Sequence, residues 1–282
     1  MIRIYPFLFI LLWSSAFITT KPIVDNSEPF SALAFRFFFV ALGFFLFCLS
    51  TNKSVVTNKV NLFQSILSGV LFHGLYLGGV FFSISVGMPT GIAALVVTLQ
   101  PILTNILSKP ILNEVITNKQ WVGALLGFSG AALVLGLDIG KEIPINGLIA
   151  TVIALLAITT STIWQKKISN NLPLSVSNFY QALGGCLFHC IVILLLVKPN
   201  INLSSTFLIA MSHQIFLVSF GAFTILMYLI KRNSASKTVS IFFLIPSTSA
   251  FLAWFFLNER LTQLDIFGFL ITTIGVYIAT RK

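Results

Sequence analysis

Charged residues are scarce in this chain. Only 9% of its 282 residues are Asp, Glu, Lys or Arg, whereas soluble domains carry about 25%. The chain has 17 Lys and Arg and 7 Asp and Glu, so its 29 Phe outnumber all charged residues together. A chain of this composition cannot cover a water-facing surface. We therefore predict an all-α integral membrane protein whose solvent is lipid.

The chain also lacks the residue sets that support disulfide, metal or catalytic chemistry. Its three cysteines, Cys48, Cys186 and Cys190, are an odd set in apolar stretches and give no disulfide framework. His189 is displaced from the helix face that Cys186 and Cys190 share, and no fourth ligand is evident, so no metal is predicted. No Walker-type phosphate loop, paired acids or Gly-x-Ser-x-Gly element occurs. We assign no catalytic residue, expect no cofactor and do not interpret the chain as an enzyme.

The net charge of +10 does not indicate a nucleic-acid partner. The basic residues stand singly or in pairs between apolar stretches, without a basic run interleaved with aromatic residues. We expect a small-molecule substrate and the lipid bilayer as partners, no nucleic acid, and either a monomer or a homodimer.

Apolar segments long enough to cross a bilayer recur along the whole chain. A spanning helix needs about 20 mostly apolar residues. We predict ten spans, near 4–20, 30–49, 62–85, 90–109, 120–137, 146–165, 176–197, 207–230, 238–257 and 264–280.

Lysine and arginine in the connecting segments predict the orientation, because cytoplasmic loops are enriched in them. With the N-terminus inside, twelve of the 17 lie in inside segments, four lie outside, and Arg36 lies within a span. Six of the 7 acidic residues lie outside. We predict a multi-pass protein of the cell inner (plasma) membrane with both termini in the cytoplasm.

The sequence resembles itself after a shift of 145 residues. Leu99, Pro101, Asn113, Glu114, Thr117, Gly123 and Gly130 fall on Leu244, Pro246, Asn258, Glu259, Thr262, Gly268 and Gly275 without a gap. Such self-similarity indicates duplication. We divide the chain into a first repeat, 1–137, and a second, 138–282. Each repeat holds five helices, and because five is odd the second enters the membrane inverted, as in many secondary transporters.

Several repeated residues have a mechanical interpretation. Pro101 and Pro246 each remove a backbone donor from a helix and predict kinks that gate or line a cavity, or that serve packing alone. Glu114 and Glu259 are expected in structural turns, where they bind helix-end donors or neighbouring basic residues. Thr117 and Thr262, each followed three residues later by Gln or Asp, predict N-caps for the fifth and tenth helices.

Polar and aromatic side chains inside the spans are the substrate-binding candidates. Arg36 could bind a substrate carboxylate, hold the two halves in register, or snorkel to the outer surface. His73 and Tyr76 share a helix face; His73 could serve ligand binding or proton coupling, or be a satisfied core histidine. The full candidate set is Trp13, Ser14, Arg36, His73, Tyr76, Gln100, Trp164, Tyr180 and Gln181.

These features resemble the EamA family of the drug/metabolite transporter superfamily. The resemblance is carried by the two Pro–Glu–Thr–Gly–Gly elements, by Leu12-Trp13-Ser14-Ser15-Ala16-Phe17 and by Phe35-Arg36-Phe37. It covers nearly the whole chain. It implies an inner-membrane carrier with a central cavity, often an exporter of amino acids or related metabolites, in which the fifth and tenth helices have a packing role.

The sequence therefore favours a secondary transporter that exports a small metabolite, such as an amino acid, by alternating access. Proton coupling and a carrier or exchanger without it fit equally, since no Asp or Glu lies in mid-span. An intramembrane enzyme and a non-transporting membrane scaffold are the alternatives.

Overall fold

The computed structural model describes residues 4–135, 143–257 and 262–281. These residues form helices, which we number α1 to α10 in chain order. The single β-bridge described joins Ser27 to Ile201 in two loops. The helices are α1, Ile4–Val24; α2, Pro29–Ser50; α3, Lys59–Ser85; α4, Thr90–Val97 with Gln100–Leu112; α5, Asn118–Leu135; α6, Ile145–Ile168; α7, Leu174–Leu196; α8, Ser205–Arg232; α9, Ala235–Val239, Ser240–Phe243 and Leu244–Leu257; and α10, Gln263–Thr280.

The prediction of an all-helical membrane protein is confirmed. In the described ranges, 9 helices are long and apolar enough to cross a bilayer. The exception is α5, whose first turn, Asn118, Lys119 and Gln120, is polar. Three glycines farther along α5 lower its hydropathy again. They serve close packing, described below.

Two helices contain π-helical segments near their middle. In α3 the segment is Val70–Tyr76, and in α8 it is Gln214–Ala222. A shift of 145 residues places the first segment within the second. π-helical turns are rare and often mark functional sites. The two segments are therefore related by the same shift as the repeated residues of the sequence.

The two predicted kink prolines each follow a change in helix geometry. In α4 the helix stops at Val97 and restarts at Gln100, so that Pro101 lies in the first turn of the second piece. In α9 the tighter 3₁₀ segment Ser240–Phe243 precedes Pro246. A proline is tolerated in a first turn, where its missing donor would be unpaired in any case.

Helices α5 and α10 pack against each other in antiparallel directions through glycine. A Cβ added at Gly123 would lie 2.5 Å from the carbonyl oxygen of Gly275, and one added at Gly130 would lie 2.6 Å from that of Gly268. The 145-residue shift pairs Gly123 with Gly268 and Gly130 with Gly275. Gly123 therefore packs on the counterpart of Gly130, and Gly130 packs on the counterpart of Gly123. Close approach of small residues is the usual way membrane helices associate without a hydrophobic driving force.

Turn residues fix the ends of several helices. The Glu28 carboxylate accepts from the backbone N–H groups of Phe30 and Ser31 at the start of α2. Thr262 and Asp265 form a complete capping box at the start of α10. Thr117 and Gln120 exchange the same pair of contacts at α5. Glu259 lies outside the described residues.

Candidate functional site

Arg36 is buried in the middle of the helical bundle. Arg36 is 4% exposed. Its Nε–H donates to the hydroxyl of Ser219, 2.9 Å away in the π segment of α8. Its guanidinium also lies over the Phe37 ring, 5.3 Å from the centroid. Arg36 therefore faces another helix of the bundle instead of snorkelling to the surface.

No carboxylate pairs with Arg36 among the described residues. The one ion pair in these ranges joins Lys21 to Asp25 at the exposed end of α1, at 2.9 Å. A buried charge without a counter-charge is costly in a membrane interior. The guanidinium is thus an available partner for an anionic group.

Aromatic rings form a wall between α1, α3 and α9. Trp13 packs on Phe9 at 5.4 Å, on Phe72 at 5.9 Å and on Phe242 at 6.1 Å between centroids. Phe9 also stacks on Phe242 at 5.2 Å. Trp13, Phe9 and Phe72 are buried, so this wall is part of the packed core of the bundle and does not face lipid.

His73 and Tyr76 lie in the π segment of α3, and both are buried. His73 contacts Phe37, the neighbour of Arg36, at 4.4 Å and Phe223, one turn after Ser219, at 4.5 Å. Its Nδ1 is buried without a hydrogen-bond partner in the described residues. The structure thus places His73 beside the Arg36–Ser219 contact.

Ser14 connects α1 with α9. Its hydroxyl donates to the carbonyl oxygen of Ile245 at 3.2 Å, and the hydroxyl of Ser249 donates to the carbonyl oxygen of Ser14 at 3.3 Å. The two hydrogen bonds join Ser14 to the residue before Pro246 and to the third residue after it. Ser14 therefore holds α1 against the proline region of α9.

A second polar group joins α3, α6 and α7. The Gln181 side-chain oxygen accepts from Ser68 at 3.2 Å and from Gln165 at 2.9 Å, while its nitrogen donates to Ser177 at 3.1 Å. Beside it is a cavity of about 20 Å³, enough for about one water molecule. This layer is nearly closed.

The remaining candidates form hydrogen bonds with other parts of the bundle. Gln100 donates to the Thr162 hydroxyl of α6 at 3.0 Å. The Trp164 indole donates to the Gln64 carbonyl at 3.3 Å, and the Tyr180 hydroxyl donates to the carbonyl of Val55 in the α2–α3 loop. Trp13 and Tyr76 both pack on the Phe72 ring, and the adjacent His73 packs on Phe37 beside Arg36, so the structure brings these candidates together. It does not show Trp164 or Tyr180 in contact with them.

Glu114 clamps the end of α4 to the start of α9. Its carboxylate accepts from the backbone N–H of Ala235 at 2.8 Å and of Ser236 at 3.3 Å. The Ser236 hydroxyl in turn contacts Asn105 of α4 and accepts from Gln120 of α5 at 2.9 Å. Three helices thus meet at one polar layer.

The cysteine and histidine side chains of α7 do not form a metal set. Within the described ranges no three His, Cys, Asp or Glu residues could hold an ion together. The His189 Nε2 instead contacts the carbonyl oxygen of His73 at 2.9 Å.

Sequence reasoning missed the partner of Arg36. Ser219 lies between apolar neighbours in α8, 183 positions from Arg36 along the chain. It also missed His213 and Gln214 of α8, which contact the hydroxyls of Ser15 and Thr19 at 3.0 Å and 2.9 Å. Polar residues within an apolar span were the available signal, because such residues usually face the bundle interior.

A bundle of apolar helices around a buried cation, aromatic wall and hydroxyl groups defines the protein as a polytopic membrane protein with a polar interior. Comparison with known proteins makes this class specific. The EamA-like transporter family profile matches residues 3–136 and residues 145–281. Because these matches cover most of the sequence, the chain belongs to the EamA-like transporter family.

Individual relatives agree with this membership. The chain is 24% identical over 281 residues to a probable amino-acid metabolite efflux pump of Escherichia coli strain K12, covering 96% of this chain and 92% of that protein. It is 24% identical over 237 residues to the Bacillus subtilis transporter YvbV, covering 80% and 73%. A solved crystal structure shares its fold, with a TM-score of 0.84 at 19% identity, covering 99% of this chain and 96% of the other.

Proposed function

We propose that this protein is a secondary transporter that exports an amino acid or a related small carboxylate across the cell inner membrane by alternating access. The observation that carries the proposal is Arg36, a buried guanidinium that has a hydroxyl partner but no carboxylate partner among the described residues. The E. coli relative, named as a probable amino-acid metabolite efflux pump, supports the substrate class and the direction.

The surroundings of Arg36 suit an amphipathic anion. Arginine binds carboxylates with two parallel N–H donors. Among the described residues, the one hydrogen bond of Arg36 is from its Nε–H to Ser219. In a state that opens the packed core, the wall of Trp13, Phe9 and Phe72 would offer an apolar surface for the rest of such a solute. His73 and Tyr76 lie at the same level of α3 and complete the proposed site.

We infer that the chain is built from two inverted repeats, 1–137 and 138–282. Three observations support this architecture. The family profile matches the chain twice, the π segments of α3 and α8 are related by the 145-residue shift, and α5 and α10 cross in antiparallel directions through exchanged glycine contacts. In an inverted arrangement, exchanging the conformations of the two repeats converts one alternating state into the other.

In the proposed orientation, with both termini in the cytoplasm, the described state is closed on the cytoplasmic side. Gly184 of α7 brings that helix against the backbone of α3, where an added Cβ would lie 3.1 Å from the Cα of Ile66. Trp164, Tyr180 and the Gln181 layer add hydrogen bonds at the same end. Opening toward the cytoplasm would separate these contacts.

The proposal is tested by transport in vesicles. The purified protein is reconstituted in liposomes and screened by counterflow against a panel of amino acids and related carboxylates, with matched amines and neutral solutes. We expect uptake of one carboxylate class. Arg36→Gln should lower transport by at least about 10-fold, because a hydrogen bond to a charged group contributes about 1.5–3 kcal/mol.

Arg232→Gln is the matched control, since Arg232 lies at the exposed end of α8 over the Tyr228 ring. It should transport as the unmodified protein does. Unchanged transport by Arg36→Gln would exclude Arg36 from the site. Failure of every carboxylate, with transport of neutral solutes, would overturn the substrate class while retaining a transport function.

A further inference from the structure

A second pocket lies at one end of the bundle, away from the Arg36 site. It has a volume of about 380 Å³ and lies where α5 and α9 begin and α10 ends. The polar and basic residues of its lining include Thr117, Lys119, Ser234, Lys237 and Arg281. The three helices that enclose it belong to both halves of the sequence.

The three basic side chains of this pocket have no acidic partner in the described ranges. Glu114, the nearest acid along the chain to Lys119, has its carboxylate on the N–H groups of Ala235 and Ser236. Asp265 caps the opposite end of α10. The contact described for the Arg281 guanidinium is the Tyr277 ring, at 5.3 Å. The pocket therefore concentrates positive charge.

The pocket lies at the edge of the apolar part of the bundle. In α5 the polar first turn is followed at once by Trp121 and the exposed Val122. In α10 the exposed Tyr277 precedes the end of the helix at Thr280. Tryptophan and tyrosine are enriched where membrane meets water. The basic side chains thus lie at the level of lipid headgroups.

We propose that this pocket binds the phosphate of an anionic phospholipid headgroup. Arginine and lysine are the side chains best suited to a phosphate, and clusters of them at a membrane surface attract anionic lipids. The hydroxyl of Ser234 and the Asn118 amide can bind the polar part of the headgroup beyond the phosphate. A bound lipid would join α5 and α10 to the first turn of α9, next to the Glu114 clamp.

The experiment measures lipid binding and does not depend on transport. The full chain in neutral detergent is titrated with phosphatidylglycerol or phosphatidylcholine, and bound lipid is counted by native mass spectrometry. We expect one tightly bound phosphatidylglycerol. The combined variant Lys119→Gln, Lys237→Gln and Arg281→Gln should bind it at least about 10-fold more weakly.

The control removes three basic residues elsewhere at the predicted cytoplasmic side: Lys53→Gln, Lys59→Gln and Arg232→Gln. It should bind within about 2-fold of the unmodified chain. Equal loss in both combined variants, or equal binding of the two lipids, would overturn the proposal.

Inorganic phosphate and glycerol phosphate distinguish a lipid from a soluble anion. If either displaces phosphatidylglycerol at low concentration and depends on the same three residues, the ligand is a free phosphate and the lipid assignment fails. If the combined variant aggregates, the three single variants replace it. Each should then weaken phosphatidylglycerol binding by about 2-fold or more, and no weakening in any of them would refute the site.

Discussion

Arg36 and Gln181 have very different hydrogen-bond partners. The shift of 145 residues pairs them, and both are buried. Gln181 uses both ends of its amide, toward Ser68, Gln165 and Ser177. Within the part of the chain that the structure describes, Arg36 makes one hydrogen bond, to Ser219. A neutral amide with its partners is a structural element, whereas a charged group with few partners is the side chain on which a ligand can act.

Ser219 should orient the Arg36 guanidinium for its ligand. Ser219→Ala removes the acceptor of the Nε–H bond and leaves a buried donor unpaired, which costs about 1–3 kcal/mol. We expect KM for the carboxylate substrate to rise several-fold, while Ser219→Thr, which keeps a hydroxyl, stays close to the unmodified value. Vesicle uptake at varied substrate concentration measures both. A fall in maximal rate with an unchanged KM would argue against this orienting role.

At the scale of elements, helix contacts in this protein depend on glycine and on caps. Gly130 of α5 lies so close to Gly268 and Thr272 of α10 that a Cβ would meet backbone atoms at 2.6 Å. These backbone atoms cannot move aside for an added Cβ as the end of a flexible side chain can. At Gly221 the nearest atom to an added Cβ is Leu12 Cδ1 at 3.2 Å, the far end of a flexible side chain.

Gly130→Ala should therefore destabilise the protein by about 1–3 kcal/mol, the usual range for overpacking a well-packed contact. The measurement is thermal unfolding of the purified protein in detergent. Gly221→Ala is the matched substitution and should have a clearly smaller effect. Equal effects of the two would mean that the α5–α10 contact adjusts freely.

Glu114 stabilises the start of α9 as a cap supplied by the turn between α4 and α5. Its carboxylate binds two backbone donors there, and a negative charge also interacts favourably with a helix N-terminus. Glu114→Ala should cost about 0.5–2 kcal/mol. Asp25→Asn, which breaks the exposed pair with Lys21, is the control and should cost less than about 1 kcal/mol. The same unfolding assay compares them, and a loss no greater than that control would contradict the capping role.

At the scale of the whole molecule, the sequence predicts the helices and several turns but not how the helices face one another. Apolar length predicts the spans other than α5, and the Thr117 and Thr262 caps follow from local spacing. The π segments have no hydropathy signal, because an apolar helix is equally apolar in α and π geometry. Trp164 and Tyr180 bond to Gln64 and to Val55 because the rotation of each helix is set by packing across the bundle.

The inverted arrangement requires that the α4–α5 turn and the α9–α10 turn lie on opposite sides of the membrane. Val115 and Gln263 are exposed residues in or next to these turns. In a chain whose three native cysteines are replaced, Gln263→Cys should react with a membrane-impermeant maleimide in intact cells, because the proposed orientation places its turn outside. Val115→Cys should react only after permeabilisation. Labelling of both from the same side would place the repeats in parallel, and the alternating-access proposal would then lose its structural basis.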